Sequence, residues 1–141
     1  MINITTLILL VVCLAIPVVA QESFEKDVIE TSEGDLEITF IGHGTLIFVF
    51  GDKVVHVDPW SRLADYSKLP KADLILLTHH HGDHLDPVAL QQVRADSTIV
   101  VLTEICAEKV DGGVVMENGD QRTYMGIDII AVPAYNVVHK R

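Results

Sequence analysis

Cationic side chains are scarce in this chain. Its 141 residues carry 10 Lys and Arg against 20 Asp and Glu, a formal net charge of −10. That balance argues against nucleic acid or an anionic membrane surface as a partner held by bulk charge. Cysteine is almost missing too. Cys13 lies in an apolar leader, and Cys106 stands alone beyond it. A chain that has lost the leader has no intrachain disulfide. Cys106, between Ile105 and Ala107 in a helical pattern, suits a buried structural thiol rather than a nucleophile. Internal repeats and low-complexity tracts are absent. The length leaves room for one domain with a modest core.

Charge is missing altogether from residues 1–21, and all 20 acidic residues come later. Residues 7–20 are almost wholly apolar, with Pro17 near the end and Val18-Val19-Ala20 before Gln21. This predicts a signal peptide over residues 1–20 and a periplasmic or secreted product. No Lys or Arg precedes the apolar run, so an uncleaved N-terminal membrane anchor stays open as the alternative, about 20 uncharged residues being enough to span a bilayer. The short run and Pro17 favour cleavage after Ala20.

Residues 21–35 are polar and charged and read as a linker. From Leu36 the pattern alternates. Leu36, Ile38 and Phe40 are separated by Glu37 and Thr39, the mark of a half-buried strand. Residues 46–50 and 54–57 read as two more strands, joined by a tight turn at Gly51-Asp52-Lys53. Further strands are expected at 74–77, 98–102, 114–116, 122–125 and 127–132. A short helix is expected within 60–72. Another covers 87–94, with Asp86 as N-cap and Pro87 at its first position, its N-terminus directed at an anion near the preceding loop. A third covers 104–110, capped by Thr103. Strands, then strand and helix in alternation, then strands describe an α/β chain of sandwich type.

What is abundant is histidine in one place. His79, His80, His81 and His84 fall within six positions, beside Asp83. They follow an apolar strand, at the carboxyl end where sites in such sheets lie. Histidine is the commonest protein metal ligand, and aspartate is a good oxygen ligand. In an extended stretch residues two apart share a side, so His79 and His81 reach one metal while His80 turns away. Gly82 lets the backbone turn close to an ion, and Asp83 and His84 beyond it suit a second metal. The bland alternative is a solvated polar loop. His56, inside a strand, and His43, in a Gly-His-Gly turn, read as structural. Asp58 ends a strand beside the loop. It reads as an acceptor for the loop or for a ligand imidazole, or else as a plain Asp-Pro turn.

The run His79-His80-His81-Gly82-Asp83-His84 resembles the H-x-H-x-D-H signature of metallo-β-lactamase-fold hydrolases. Ile41-Gly42-His43-Gly44-Thr45 and Val57-Asp58-Pro59-Trp60 are similar to its lactonase-like branch. The resemblance covers about residues 36–136. It implies an αββα sandwich, of which residues 36–141 form the N-terminal half. It implies a zinc-dependent hydrolase, with one or two zinc ions or another divalent metal, acting on a small ester, lactone or phosphate ester. His79 and His81 would hold the first metal. Asp83 and His84 would hold the second, and Asp83 would also be catalytic, positioning the nucleophile. The third histidine of the first metal would be His139, displaced from its usual place after the 127–132 strand. The bridging carboxylate and last histidine belong to the other half of the fold. Asp120, followed by Gln121, does not match the bridging segment. Two expectations follow: a hydrolase that is truncated or completed by a second copy or another chain, or a non-catalytic metal-binding relative. In either case one face of the sheet expects a second sheet against it.

Overall fold

The computed structural model describes residues 23–134. The leader and His139 lie outside them. Seven strands form one sheet in chain order: β1 (Glu25–Thr31), β2 (Gly34–Gly42), β3 (Thr45–Phe50), β4 (Lys53–Val57), β5 (Leu74–Leu76), β6 (Ile99–Leu102) and β7 (Val114–Val115). The first four are antiparallel neighbours and the rest run parallel to β4. A separate hairpin pairs β8 (Gln121–Tyr124) with β9 (Ile127–Ile130). Helices α1 (Pro87–Val93) and α2 (Glu104–Ala107) and a 3₁₀ turn at Tyr66–Lys68 complete the elements.

Most expected elements are present, with ends shifted by a few residues. Glu25–Thr31, expected within a linker, is instead a full strand paired with β2. It is an edge strand exposed along its whole length, so its residues carry no apolar alternation and it blunts the edge with charge instead. The helix expected over 104–110 keeps only its first turn.

The chain's topology decides what covers each face. Parallel strands need crossover connections, and these are right-handed in nearly all proteins. Strands β4 to β7 advance in one direction across the sheet, so equal-handed crossovers all fall on one face. The 3₁₀ segment, α1 and α2 lie there. They bury Tyr66, Ala89, Leu90, Val93 and Cys106 against Ile47, Ile75, Val100 and Leu102. Among the described residues the opposite face is covered only by the β8–β9 hairpin, whose Tyr124, Ile127 and Ile129 pack on a cluster containing Val55, Leu74, Val101 and Met116.

The register assigns every side chain to a face. Thr39, Ile47, His56, Ile75 and Val100 are successive cross-strand partners and form one row under the helices. Ile38, Phe48, Val55, Leu74 and Ile99 form the matching row on the other face. The alternation of β2 was expected to bury Leu36, Ile38 and Phe40. Instead Thr39 and Ile41 are buried, at 6% and 7% exposure, while Phe40 is 38% exposed. The apolar side of β2 faces the thinly covered side of the sheet. A groove of about 530 Å³ remains there, lined by Leu36, Phe48, Phe50, Val55, Leu76 and Ile127 among others.

Helix α1 starts as its sequence dictates. The Asp86 carboxylate accepts from the backbone N–H groups of Val88 and Ala89, and Pro87 occupies the first position. Those N–H groups are therefore engaged by Asp86, and the expected helix-terminus anion site is not formed by them. Asp86 also accepts from the Ser61 backbone N–H at 2.8 Å and its hydroxyl at 2.5 Å. This ties the β4–β5 crossover to the helix that follows the histidine loop.

Candidate metal centre

The loop of residues 77–86 leaves β5 and returns as α1. Its turn is closed by the His84 and Leu85 backbone N–H groups, both donating to the His81 carbonyl, at 2.9 and 2.8 Å. The backbone turns at Gly82 as expected, but without a left-handed conformation there. Gly82 is not among the positive-φ glycines, and nothing lies within 4 Å of where its side chain would start. The glycine that permits close approach is Gly44, where an added Cβ would sit 3.0 Å from Cε1 of His84.

Under the loop lies Asp58, 2% exposed, at the end of β4. It adopts φ 44°, a left-handed conformation, uncommon outside glycine and more tolerable for aspartate than for most residues. Its carboxylate accepts from the Thr78 backbone N–H at 2.8 Å, the Thr78 hydroxyl at 2.5 Å and His84 Nδ1 at 2.8 Å. Its own carbonyl accepts from the Thr45 hydroxyl at 2.6 Å. Of the two readings of Asp58, the structure selects the acceptor for loop and imidazole.

These contacts settle which imidazole nitrogens are bare. His84 donates from Nδ1, so in the neutral ring Nε2 carries the lone pair. The single Thr78 hydroxyl proton goes to Asp58, so that oxygen accepts from His79 Nδ1, 3.0 Å away. Nε2 of His79 then carries its lone pair as well, within hydrogen-bond reach of His81. It lies 3.2 Å from Nδ1 of His81. Two nitrogens bound tetrahedrally to one ion at about 2.0–2.1 Å would stand roughly 3.3 Å apart. The pair fits a shared ion. Partial burial holds His79 below the ordinary histidine range, and repulsion from His84 and His81 adds to this. The neutral form that ligates metal is thereby favoured.

Asp83 sits on the solvent side of the loop. Its Oδ2 lies 3.0 Å from His43 Nε2 and 3.8 Å from His84 Nε2. A hydrogen bond from its own backbone N–H holds its carboxyl below the usual carboxylate range, and one from His43 acts in the same direction. Ligand atoms of Asp58, His79 and His84 all lie within 4.8 Å of one another, as do those of His43, Asp83 and His84. Asp58 is buried and its oxygens accept from three donors, so in this structure it orients the loop and the His84 ring.

The structure thus brings His79, His81, Asp83 and His84 together, while His139 lies outside the described residues. His80 contacts His81 edge-on, with ring centres 5.1 Å apart. His56 is the packed core histidine expected. It is fully buried, contacts Tyr66, and donates from Nε2 to the Pro70 carbonyl at 3.0 Å. His43, expected to be structural, is instead at the site. Its position between two glycines was the signal available in the sequence. Thr78, the hydroxyl immediately before the histidines, was also passed over.

Fold and cluster together define an α/β protein built around an imidazole–carboxylate loop at the end of a parallel strand. Residues 37–141 match the family described as beta-lactamase superfamily domain, and the chain belongs to that family, within the metallo-β-lactamase-fold superfamily. It is 32% identical over 108 residues to a UPF0173 metal-dependent hydrolase of Pelotomaculum thermopropionicum, covering 72% of this chain and 47% of that protein. A UPF0173 metal-dependent hydrolase of Pyrococcus furiosus is 30% identical, with 72% and 48% covered. A crystal structure of a presumed metal-dependent hydrolase from Parabacteroides distasonis superposes with a TM-score of 0.79 at 45% identity, over 82% of this chain and 54% of that one. The chain spans about half the length of the curated relatives it matches.

Proposed function

We propose that this chain carries the histidine-loop half of a metal-dependent hydrolase, with zinc as the ion. The single observation that carries this is the 3.2 Å approach of the His79 Nε2 lone pair to His81 Nδ1, a separation that suits a shared ion as well as the hydrogen bond present without one, with the His79 and His84 tautomers set by Asp58. His79 and His81 would hold one ion, and Asp83 and His84 a second. Such an ion supplies a water whose pKa falls to about 7, so that hydroxide is available at neutral pH. The chain's own part is to hold the imidazoles neutral and aimed, and to offer Asp83 to the nucleophile's proton. A small ester, lactone or phosphate ester is the proposed substrate class. A complementing segment, second copy or other chain would supply the remaining ligands.

Zinc content after dialysis tests this reading. Wild type should retain zinc, and a His79→Ala/His81→Ala double variant should lose it. Equal zinc in both would sink the assignment. A second reading, a metal-binding relative without catalysis, is favoured by one observation: the carboxylates of the two clusters are already engaged, Asp83 by His43 and Asp58 by Thr78 and His84. Zinc-loaded protein offered an ester, a lactone and a phosphodiester separates the two. Turnover abolished by Asp83→Ala supports the hydrolase.

A further inference from the structure

We infer that His43 is a positioning residue for Asp83: its Nε2–H donates to Oδ2 and sets the rotation of that carboxylate toward the metal centre. The inference rests on the metal-site reading above and deepens it.

An exposed ion pair would by itself carry little weight, since solvent screens it and ordering two side chains opposes it. The His43 side chain is 50% exposed, so what sets the imidazole apart from a free surface group is the backbone and ring contacts that hold it. His43 stands at φ 52°, a left-handed backbone that a bulky residue rarely takes and that persists where the surroundings hold it. Among the described residues only three non-glycines have positive φ: His43, Asp58 and Met125. The first two flank this loop. The turn that carries His43 is anchored on both sides. Gly42 precedes it at φ 130°. Gly44 packs against the His84 ring, and Thr45, 1% exposed, is bonded to the Asp58 carbonyl. The ring itself lies between Trp60 and His84, with centres 5.7 and 5.2 Å away. Backbone, neighbours and ring contacts all leave Nε2 at 3.0 Å from Asp83 Oδ2.

Asp83 needs such a partner. Asp58 is held by three donors inside the protein, but the Asp83 side chain is 37% exposed. Among the described residues, His43 is the side chain that bonds it. Partners that orient a ligating carboxylate are worth about 10–100-fold in metal affinity.

The test compares His43→Ala, His43→Asn and His43→Gln, with metal retention read against a chelating dye and with the visible spectrum of cobalt-substituted protein. Asparagine tolerates the left-handed backbone but is too short to reach Asp83. Glutamine places an amide N–H near the position of Nε2. The expected result is about 10–100-fold weaker metal retention in the Ala and Asn variants, an altered cobalt spectrum, and recovery of both in the Gln variant. Unchanged retention in the Asn variant would make His43 a packing residue and overturn the inference. Loss of a whole equivalent of metal that glutamine does not restore would make His43 a ligand, and overturns it too. Should alanine unfold the protein, the Asn and Gln pair still decides. Wild type that holds no more zinc than His79→Ala/His81→Ala would overturn the parent reading and this one with it. Normal zinc in wild type with indifferent His43 variants overturns this one alone.

Discussion

The two faces of the sheet are built from the same strands yet are covered very differently. Under the helices, Tyr66, Ile75 and Val93 are fully buried, and Val100 and Leu102 are 1% and 2% exposed. On the other face Leu74 is fully buried beneath the hairpin, but Ile29 and Phe40 are 49% and 38% exposed. Composition does not predict which face is covered: the row under the helices includes Thr39 and His56, whereas Ile38, Phe48, Val55, Leu74 and Ile99 on the other face are all apolar. The difference comes from crossover handedness, which places every connecting segment on one side. The site inherits this. Asp58, at the end of β4, receives Thr78 and His84 from the loop, and the loop runs into a helix packed on the covered side. Asp83 and His43 meet at the solvent-facing edge.

The largest expected effect tests the covered face. Ile75→Ala should cost about 3–4 kcal/mol, because the side chain is fully enclosed and the neighbouring strands cannot collapse into the void. A urea-denaturation midpoint that moves by less than a third of this would mean the helices pack loosely.

The second effect also belongs to that face. Burial pushes His56 down to about 4 from 6.5, against a raising contribution from the Pro70 carbonyl bond. The folded protein therefore resists a proton that the unfolded chain accepts. Stability is fully present above pH 6.5 and is lost as pH falls from 6.5 toward 4. The difference corresponds to about 3 kcal/mol. Denaturation of wild type and His56→Leu at pH 7.5 and 4.5 isolates it. The wild type should lose about 2–3 kcal/mol more than the variant across that interval. Parallel losses would show that His56 is solvated.

Asp58→Asn comes next and probes the joint between covered face and site. The amide offers one acceptor oxygen where three donors converge. The cost should be about 1–3 kcal/mol for a donor left unpaired, with about 10–100-fold weaker metal retention as the His79 and His84 tautomers lose their anchor. Asp83→Asn, by contrast, should leave the denaturation midpoint nearly unchanged. A fold that is indifferent to Asp58→Asn would remove the hub from the account of the site.

What the chain shows without coordinates is local. The histidine cluster, the Asp86–Pro87 helix start and the Gly51 hairpin each lie within a few consecutive residues, so their chemistry is visible in the sequence. His43 reaches Asp83 across 40 positions, through a β2–β3 turn whose approach depends on Gly44 against His84, and no local pattern carries that. Strand β1 is not visible in the sequence because both its faces are exposed, leaving no buried side to alternate with. The side of β2 was misread for a related reason. Leu36, Ile38 and Phe40 are the more apolar set, but the crossovers went to the face of Thr39 and Ile41.

The smallest expected effect tests the thinly covered face. Leu36 and Phe50 are direct cross-strand partners and both line the groove. Burial is worth about 25 cal/mol for each Å² removed from water, and half-buried side chains have already forgone much of it. A lysine stem can also lie along the groove while its ammonium reaches solvent. Leu36→Lys and Phe50→Lys should therefore each cost less than about 1 kcal/mol, against several for Ile75→Ala. They should also reduce binding of a dye that reports exposed apolar surface. Equilibrium denaturation of the three variants, with dye titration on the native forms, draws the contrast directly. Should the lysine variants lose as much stability as Ile75→Ala, the groove is filled in solution. The two faces would then be alike, and sedimentation of wild type against Leu36→Lys would show whether a second copy fills it.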